Sequence, residues 1–184
     1  MWTCRKWQKY TYQHTCYCNR KITGKTDSVY VCGPTGSAAF NSGGETCHRL
    51  FNIQGNLKES QLSAQALKTL ISKLEHTIVL IVDERSMISS LLLGTMEDYC
   101  RQAAFKGEYK GLDWGGLPMV ILVGDDHQLP PIEAGAFHCL EERTKPARSK
   151  VDEDLIRNGM RLFRKFGEDV MTLTQSKRVL EGQV

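Results

Sequence analysis

The sequence contains no long apolar segment. Its longest apolar runs are 78–82 and 117–123, whereas a membrane-spanning helix needs about 20 consecutive apolar residues. Its first residues, MWTCRKWQKY, are polar and aromatic, unlike the basic-then-apolar start of a secretory signal. We therefore expect a soluble, intracellular protein with no membrane partner.

Cysteine is sparse and shows no disulfide pattern. The 184 residues contain seven cysteines, an odd number, scattered from Cys4 to Cys139. Secreted disulfide scaffolds are shorter and denser in Cys, so we expect free thiols in a reducing compartment. A zinc site is suggested by Cys4, His14, Cys16 and Cys18. However, Cys-x-Cys is not the usual spacing of a zinc knuckle, so we favour free thiols there as well.

Acidic residues are missing from the first 26 positions. Six Lys and Arg and five Trp and Tyr lie there, whereas the remainder holds 18 bases and 21 acids. We therefore divide the chain into an N-terminal arm, residues 1–27, and one domain, residues 28–184. The arm can follow a nucleic-acid backbone while its rings stack on bases. The simpler alternative is a poorly packed tail or an edge strand.

From residue 28 onward, apolar strands alternate with amphipathic helices. We predict strands at 28–32, 77–82, 118–123 and 170–173, helices at 60–75, 87–104 and 154–166, and a charged loop at 141–153. This alternation predicts an α/β fold with a largely parallel sheet and flanking helices. Ligands of such sheets bind at the carboxyl ends of the strands, where 34–36, 83–84 and 124–125 are expected to form one site.

Asp83 and Glu84 directly follow an apolar strand, the arrangement called Walker B. A carboxylate at Asp83 can hold Mg²⁺ through its water shell, and Glu84 can orient and deprotonate an attacking water. An acidic pair at a strand end is often only solvated, so the pair alone does not identify a nucleotide site.

The segment VILVGDDHQLPPI, residues 120–132, supplies that context. It places Gln128 three residues after the strand-end Asp125 and before Pro130-Pro131, where an amide can detect a terminal phosphate. The small-residue turn at 33–40 lets backbone groups approach a polyanion. Arg178 is placed to direct a guanidinium toward a phosphate chain.

Four ordered motifs resemble those of the Pif-one/RecD-like DNA helicases of superfamily one: PTGSAAF, GETCHRLF, IVDERSM and GDDHQLPPI. The resemblance extends from about residue 28 to residue 180. It implies a RecA-like P-loop NTPase fold and an ATP-dependent helicase that unwinds DNA in the five-prime to three-prime direction. Single-stranded and forked DNA are the implied partners, and no obligate protein partner is inferable.

The resemblance also implies roles for individual residues. Asp83 would hold Mg²⁺, Glu84 would activate water, and Gln128 would contact the γ-phosphate of ATP, with Asp125 supporting its loop. Arg178 would contact the phosphates. DNA repair, recombination and telomere maintenance are the implied processes, in the nucleus or alternatively the mitochondrion.

Two of the motifs would contact DNA. Their candidate residues are Pro34, Thr35, Gly36, Thr46 and His48. His48 has the simpler alternative of capping a turn. Phe51 and Met87 are expected in the core rather than as stacking platforms.

The sequence departs from this family at the phosphate loop, G-x-x-x-x-G-K-[ST]. Gly24-Lys25-Thr26 resembles its end, but Asn19 replaces the first glycine and the strand begins within two residues of Thr26. A parallel strand–loop–helix unit needs about a dozen or more residues, so we expect the domain to lack that unit.

The chain also ends before a second RecA-like domain. We therefore interpret it as a fragment of a helicase. The alternative is a catalytically inactive remnant that binds single-stranded DNA through residues 33–51 and the arm. A third alternative is that the chain does not fold stably by itself, because a missing strand would expose apolar sheet edges.

Overall fold

The computed structural model describes residues 28–53, 62–104, 109, 111–125, 128 and 149–172. Four strands form one sheet: β1 (Val29–Gly33), β2 (Glu45–Thr46), β3 (Val79–Val82) and β4 (Met119–Leu122). Their order is β2-β1-β3-β4, and every neighbouring pair is parallel. The predicted α/β fold with a parallel sheet is confirmed.

The described helices are α1 (Gly36–Ser42), α2 (Cys47–Leu50), α3 (Ala64–Leu74), α4 (Ser90–Gln102) and α5 (Lys150–Phe166). Each begins after a Ser or Thr whose hydroxyl accepts a hydrogen bond from the backbone N–H three residues later. Such capping satisfies a donor that the helix itself leaves unpaired. Short 3₁₀ turns occupy Arg85–Met87 and Asp113–Gly116. None of these helices is long and apolar enough to cross a membrane.

Three sequence predictions need correction. Residues 33–40, expected as a small-residue turn, include the first part of helix α1, because Thr35 caps this helix and Ala38 and Ala39 are buried. Helix α5 begins at Lys150, inside the predicted loop, because Ser149 caps it and acidic residues occupy its first turn, where the helix dipole favours them. The strand predicted at 170–173 is wrong over its described part, since 170–172 pair with no strand. Val170 and Met171 are 59% and 88% exposed, so burial does not favour a strand here.

The core lies mainly between one face of the sheet and helices α3, α4 and α5. Alternate strand residues, including Cys32, Leu80 and Val82, join a cluster with Phe51 and the apolar faces of these helices. The opposite face of the sheet carries a smaller cluster built on Val31, Val79 and Ile81. All four residues of β3 are buried, as predicted for a central parallel strand. Phe51 is a core residue as expected, and Met87 is half-buried.

Helices α4 and α5 cross in backbone contact. A Cβ added at Gly159 would overlap the carbonyl oxygen of Ser90, and one added at Gly94 would overlap that of Leu155. Glycine at both positions therefore permits the close approach.

A buried carboxylate reinforces this crossing. Glu97 on α4 is fully buried; its Oε1 accepts the Trp114 N–H at 3.2 Å and its Oε2 accepts from Asn158 Nδ2 at 2.6 Å. Burial raises the pKa of the Glu97 carboxyl, while the two hydrogen bonds oppose that shift. Glu97 thereby joins α4, the 113–116 turn and α5.

Asp113 forms a second link at the surface. Its oxygens accept from Arg161 Nη2 at 2.7 Å, Arg161 Nη1 at 3.2 Å and Lys165 Nζ at 2.9 Å. The two Arg161 hydrogen bonds, followed by the one from Lys165, lower the pKa of Asp113 to about 2. The cationic half of α5 is thus attached to the turn before β4.

We predict that Gly159→Ala destabilises the domain by about 1–3 kcal/mol, because the methyl group must separate α4 from α5. Chemical denaturation measures the loss. Gly111→Ala is the control, because a Cβ there meets nothing within 4 Å. Equal stability of the two variants would contradict the backbone contact.

We also predict a pH-dependent stability difference between the wild type and Asp113→Asn. The folded pKa of Asp113, about 2, lies below its ordinary 3.8, so its ion pairs stabilise the fold above about pH 4. This contribution is lost as pH falls from about 4 toward 2. Urea denaturation at several pH values should show the difference shrinking over that interval. The exposed Asp169→Asn serves as control, and a difference unchanged between pH 7 and pH 2 would refute the assignment.

Candidate functional site

Three segments meet at the carboxyl edge of the sheet. Cys32 pairs with Val82, and Val82 with Leu122, so β1, β3 and β4 end side by side. The pairing continues past β3, where the Asp83 N–H donates to the Cys32 carbonyl at 2.8 Å and the Val123 N–H donates to the Val82 carbonyl at 2.8 Å. The polar residues that follow these strands therefore adjoin one another, as the sequence predicted.

Asp83 is the buried carboxylate of this edge. It is 4% exposed, and its Oδ1 accepts the Glu84 N–H at 2.9 Å. Hard oxygen donors suit Mg²⁺, which commonly takes one or two carboxylates and completes its shell with water and phosphate oxygens. Within the described ranges no group of three His, Cys, Asp or Glu could hold a metal by itself. The donors present therefore fit Mg²⁺ held jointly with a ligand.

Glu84 lies in a strained turn. Its φ of 55° and ψ of 49° are left-handed, a conformation that costs a non-glycine residue roughly 1–2 kcal/mol. The next residue anchors the turn, since the Arg85 N–H donates to the Val123 carbonyl at 2.9 Å. Strain retained against this cost is typical of functional positions. The backbone therefore fixes the direction in which the half-buried Glu84 side chain leaves the strand.

Arg85 connects this turn to two other elements. A Cβ on Gly124 would lie 2.7 Å from both Arg85 Cγ and Arg85 N, so the loop after β4 packs directly on Arg85. Its guanidinium carbon lies 5.9 Å from the centroid of the Phe163 ring on α5. The acidic turn is thus attached to both the β4 loop and α5.

Gln128 is held near the same edge. Its N–H donates to the Asp125 carbonyl at 3.0 Å, closing a turn after β4, and the residue is exposed. Arg178, the other residue expected at the phosphates, lies outside the described residues. The arm at 1–27 lies outside them too, together with its Cys and His group and the Gly24–Thr26 turn.

The residues expected to contact DNA lie at or just after the ends of the neighbouring strands β1 and β2. The hydroxyls of Thr35 and Thr46 cap α1 and α2, which gives both a structural role. Gly36 and His48 are exposed, and Pro34 is half-buried. The His48 carbonyl accepts the Ile53 N–H at 2.8 Å, so its backbone closes a turn while its side chain reaches solvent.

Two further exposed side chains belong to the helices that follow these strands, and the sequence did not single them out. Phe40 on α1 is 87% exposed, and Arg49 on α2 is 81% exposed beside Glu45, at 3.3 Å. Helical spacing could have indicated that Phe40 is exposed, because Ala38 and Ala39 form the buried face of α1.

Three described cysteines, Cys32, Cys47 and Cys100, are buried and free. A hydrogen bond with Cys47, followed by burial, raises the pKa of Cys32 well above its ordinary value. Burial likewise raises the pKa of Cys100. The raised pKa values keep the Cys32 and Cys100 thiols protonated, so these two add no charge beside Asp83. The three described cysteines agree with the expectation of free thiols.

Comparison with known proteins decides the family. Residues 11–165 match the family model described as PIF1-like helicase. The chain belongs to this family. Over 109 residues it is 36% identical to ATP-dependent DNA helicase RRM3 of Saccharomyces cerevisiae, and over 116 residues it is 33% identical to ATP-dependent DNA helicase PIF4 of Trypanosoma brucei brucei. These matches cover 58% and 59% of this chain but only 14% and 13% of the relatives.

A solved structure supports the fold. The crystal structure of Pif1 helicase from Candida albicans matches 68% of this chain and 28% of that chain, with a TM-score of 0.54 and 24% identity. At this identity the likeness concerns architecture, and it confirms the RecA-like parallel sheet. The four motifs noted in the sequence thus belong to a PIF1-like chain that spans about one seventh of its curated relatives.

We predict that Gly124→Ala loosens the acidic turn, because its methyl group must displace Arg85 and weaken the hydrogen bond to Val123. Amide exchange of Arg85 should accelerate by roughly tenfold, a loss of about 1.4 kcal/mol in local opening free energy. Gly111→Ala should leave this exchange unchanged. Protection of Arg85 equal to the wild type in Gly124→Ala would contradict the packing argument.

Proposed function

We propose that this chain is part of an ATP-dependent DNA helicase and that the carboxyl edge of its sheet is the nucleotide site. One observation carries the proposal: buried Asp83, the strained Glu84 turn and the loop at 124–125 follow adjacent strands and pack on one another. The curated relatives are named ATP-dependent DNA helicases. Because the chain spans about one seventh of them, unwinding is proposed for the whole protein.

The proposed reaction is hydrolysis of the terminal phosphoanhydride bond of ATP. A water oxygen attacks the γ-phosphorus, the bond to the bridging oxygen breaks, and ADP and phosphate leave. Glu84 takes the proton of the attacking water. Mg²⁺, when bound with the nucleotide, neutralises phosphate charge. Asp83 would hold that ion through its water shell.

The remaining residues would position the γ-phosphate. Gln128 is proposed to donate its amide N–H to that phosphate, and the Asp125 carbonyl holds the Gln128 backbone in place. Arg178 would supply a guanidinium to the phosphate chain. Charge stabilisation by donors already in position is the principal source of catalysis in phosphoryl transfer.

The neighbouring surface is proposed to bind single-stranded DNA. The exposed ring of Phe40 can stack on a base and the guanidinium of Arg49 can contact a phosphate. His48 and the 34–36 turn lie at the ends of the adjacent strands. DNA bound there would adjoin the nucleotide edge.

We further propose five-prime to three-prime unwinding of forked DNA, in repair, recombination or telomere maintenance, in the nucleus or alternatively the mitochondrion. Residues 28–184 would form a motor domain and residues 1–27 a basic arm. The curated relatives are named ATP-dependent DNA helicases, which favours this proposal over the inactive remnant.

Mg²⁺-dependent ATP binding and hydrolysis test the proposal. We predict that Asp83→Ala weakens Mg²⁺-ATP binding at least about tenfold, or about 1.4 kcal/mol. Glu84→Gln should keep nucleotide binding and slow hydrolysis by about 10²–10⁴-fold, since it removes the base and keeps the shape. Binding is measured by titration calorimetry and turnover by phosphate release with single-stranded DNA.

Asp98→Ala is the matched control, because it removes a carboxylate from the middle of α4, away from the strand ends. It should bind and hydrolyse like the wild type. Unchanged turnover in Glu84→Gln would overturn the assignment of the general base. Nucleotide binding indifferent to both Mg²⁺ and Asp83→Ala would overturn the site.

A further inference from the structure

The C-terminal half of α5 carries a band of cations along an open cleft. The cleft has a volume of about 670 Å³, and its described lining is Arg157, Met160, Arg161, Arg164, Lys165 and Glu168. Four cationic side chains thus face it with one carboxylate. The surface is suited to an anionic partner.

The helix itself explains only part of this charge. Cations are favoured in the last turn of a helix by its dipole, which accounts for Arg164 and Lys165. The effect fades beyond that turn, and Arg157 and Arg161 lie one to two turns earlier. The continuation of the band toward the middle of α5 therefore needs another explanation.

Two of the cations are held in place. Arg161 and Lys165 both bind Asp113, and Arg161 Nε also donates to the Asn158 side chain at 3.1 Å. One carboxylate is shared between the two cations, so this part of the band keeps a positive charge. The ion pairs with Asp113 therefore position Arg161 and Lys165 in the lining of the cleft.

The other two cations are available to a ligand. The Arg157 side chain is 74% exposed, and its nearest carboxylates, on Glu153 and Asp154, lie at 4.0 and 3.8 Å, too far for strong hydrogen bonds. Arg164 is exposed and forms no ion pair within the described part of the chain. Guanidinium groups placed in this way can each bind a phosphate through two N–H donors.

The spacing of the band fits a chain of phosphates. Positions 157, 161, 164 and 165 share one helix face and extend about 12 Å along its axis. Successive phosphates of a nucleic-acid strand advance by about 3.4 Å in a duplex and more when stretched, so several would lie within reach.

We infer that the α5 cleft binds the phosphate backbone of single-stranded DNA, as a second contact separate from residues 34–51. This inference rests on the proposed DNA-helicase function. The first surface follows β1 and the outer strand β2, whereas α5 packs on α4 and on the turn before β4, the other outer strand. Within the described sheet, the first surface therefore lies on the β2 side and the α5 cleft on the β4 side.

The test is a salt titration of DNA binding. The probe is a fluorescently labelled single-stranded oligothymidylate, and its anisotropy gives the affinity for the full chain. Arg157→Gln/Arg164→Gln should lower the slope of log affinity against log salt by about 1.4, at about 0.7 for each lost phosphate contact. Arg157→Lys/Arg164→Lys should keep most of the slope, because it retains the charge.

Lys68→Gln/Lys150→Gln is the charge-matched control, since both lysines are exposed and neither lines the cleft. A slope for the Arg157/Arg164 variant equal to that of this control would overturn the inference. If Arg49→Gln reduces binding and Arg157→Gln/Arg164→Gln does not, the proposed function stands and the α5 contact falls. Absence of any DNA binding in a wild-type chain that binds Mg²⁺-ATP would overturn both DNA contacts and leave the nucleotide site.

Discussion

The hydrogen bonding of β3 between β1 and β4 is the constraint on which the candidate site depends. β3 pairs along its whole length with both neighbours, and the pairing extends through Asp83 and Val123. A one-residue slip would exchange the two faces of a buried strand, so the surrounding core fixes the register. The fixed register delivers Asp83 to the edge beside the loop that holds Gln128.

The helices packed on the sheet also hold the turn that follows β3 in place. Glycine contacts bring α4 and α5 together, and the buried Glu97 links both helices to the turn before β4. From α5, Phe163 reaches the guanidinium of Arg85, next to Glu84. The packing of α5 thus supports the strained acidic turn on one side and displays the cationic cleft on the other. Helix α5 would therefore contact both the proposed nucleotide site and the proposed DNA.

Sequence patterns located most of the longer helices and strands and nominated the candidate residues of the site. Strand ends followed by Asp83-Glu84 and Gly124-Asp125 were recognisable because apolar runs end abruptly at polar residues. The strand predicted at 170–173 failed in its described part because local β propensity does not supply a partner. The start of α5 was missed because Ser149 caps the helix inside a stretch that reads as a charged loop.

The sequence by itself determined the order of β1, α3, β3, α4, β4 and α5, the four motifs and the choice of candidate nucleotide residues, because apolar periodicity and residue chemistry are local. It did not indicate the short elements α1, β2 and α2. Only the tertiary structure decided the left-handed turn at Glu84, the Gly94–Gly159 approach, the exposure of Phe40 and the cationic cleft on α5. Each of these depends on contacts between residues distant in the chain or on which face of a helix is covered. Such contacts form only when the elements pack together, so local sequence patterns do not reveal them.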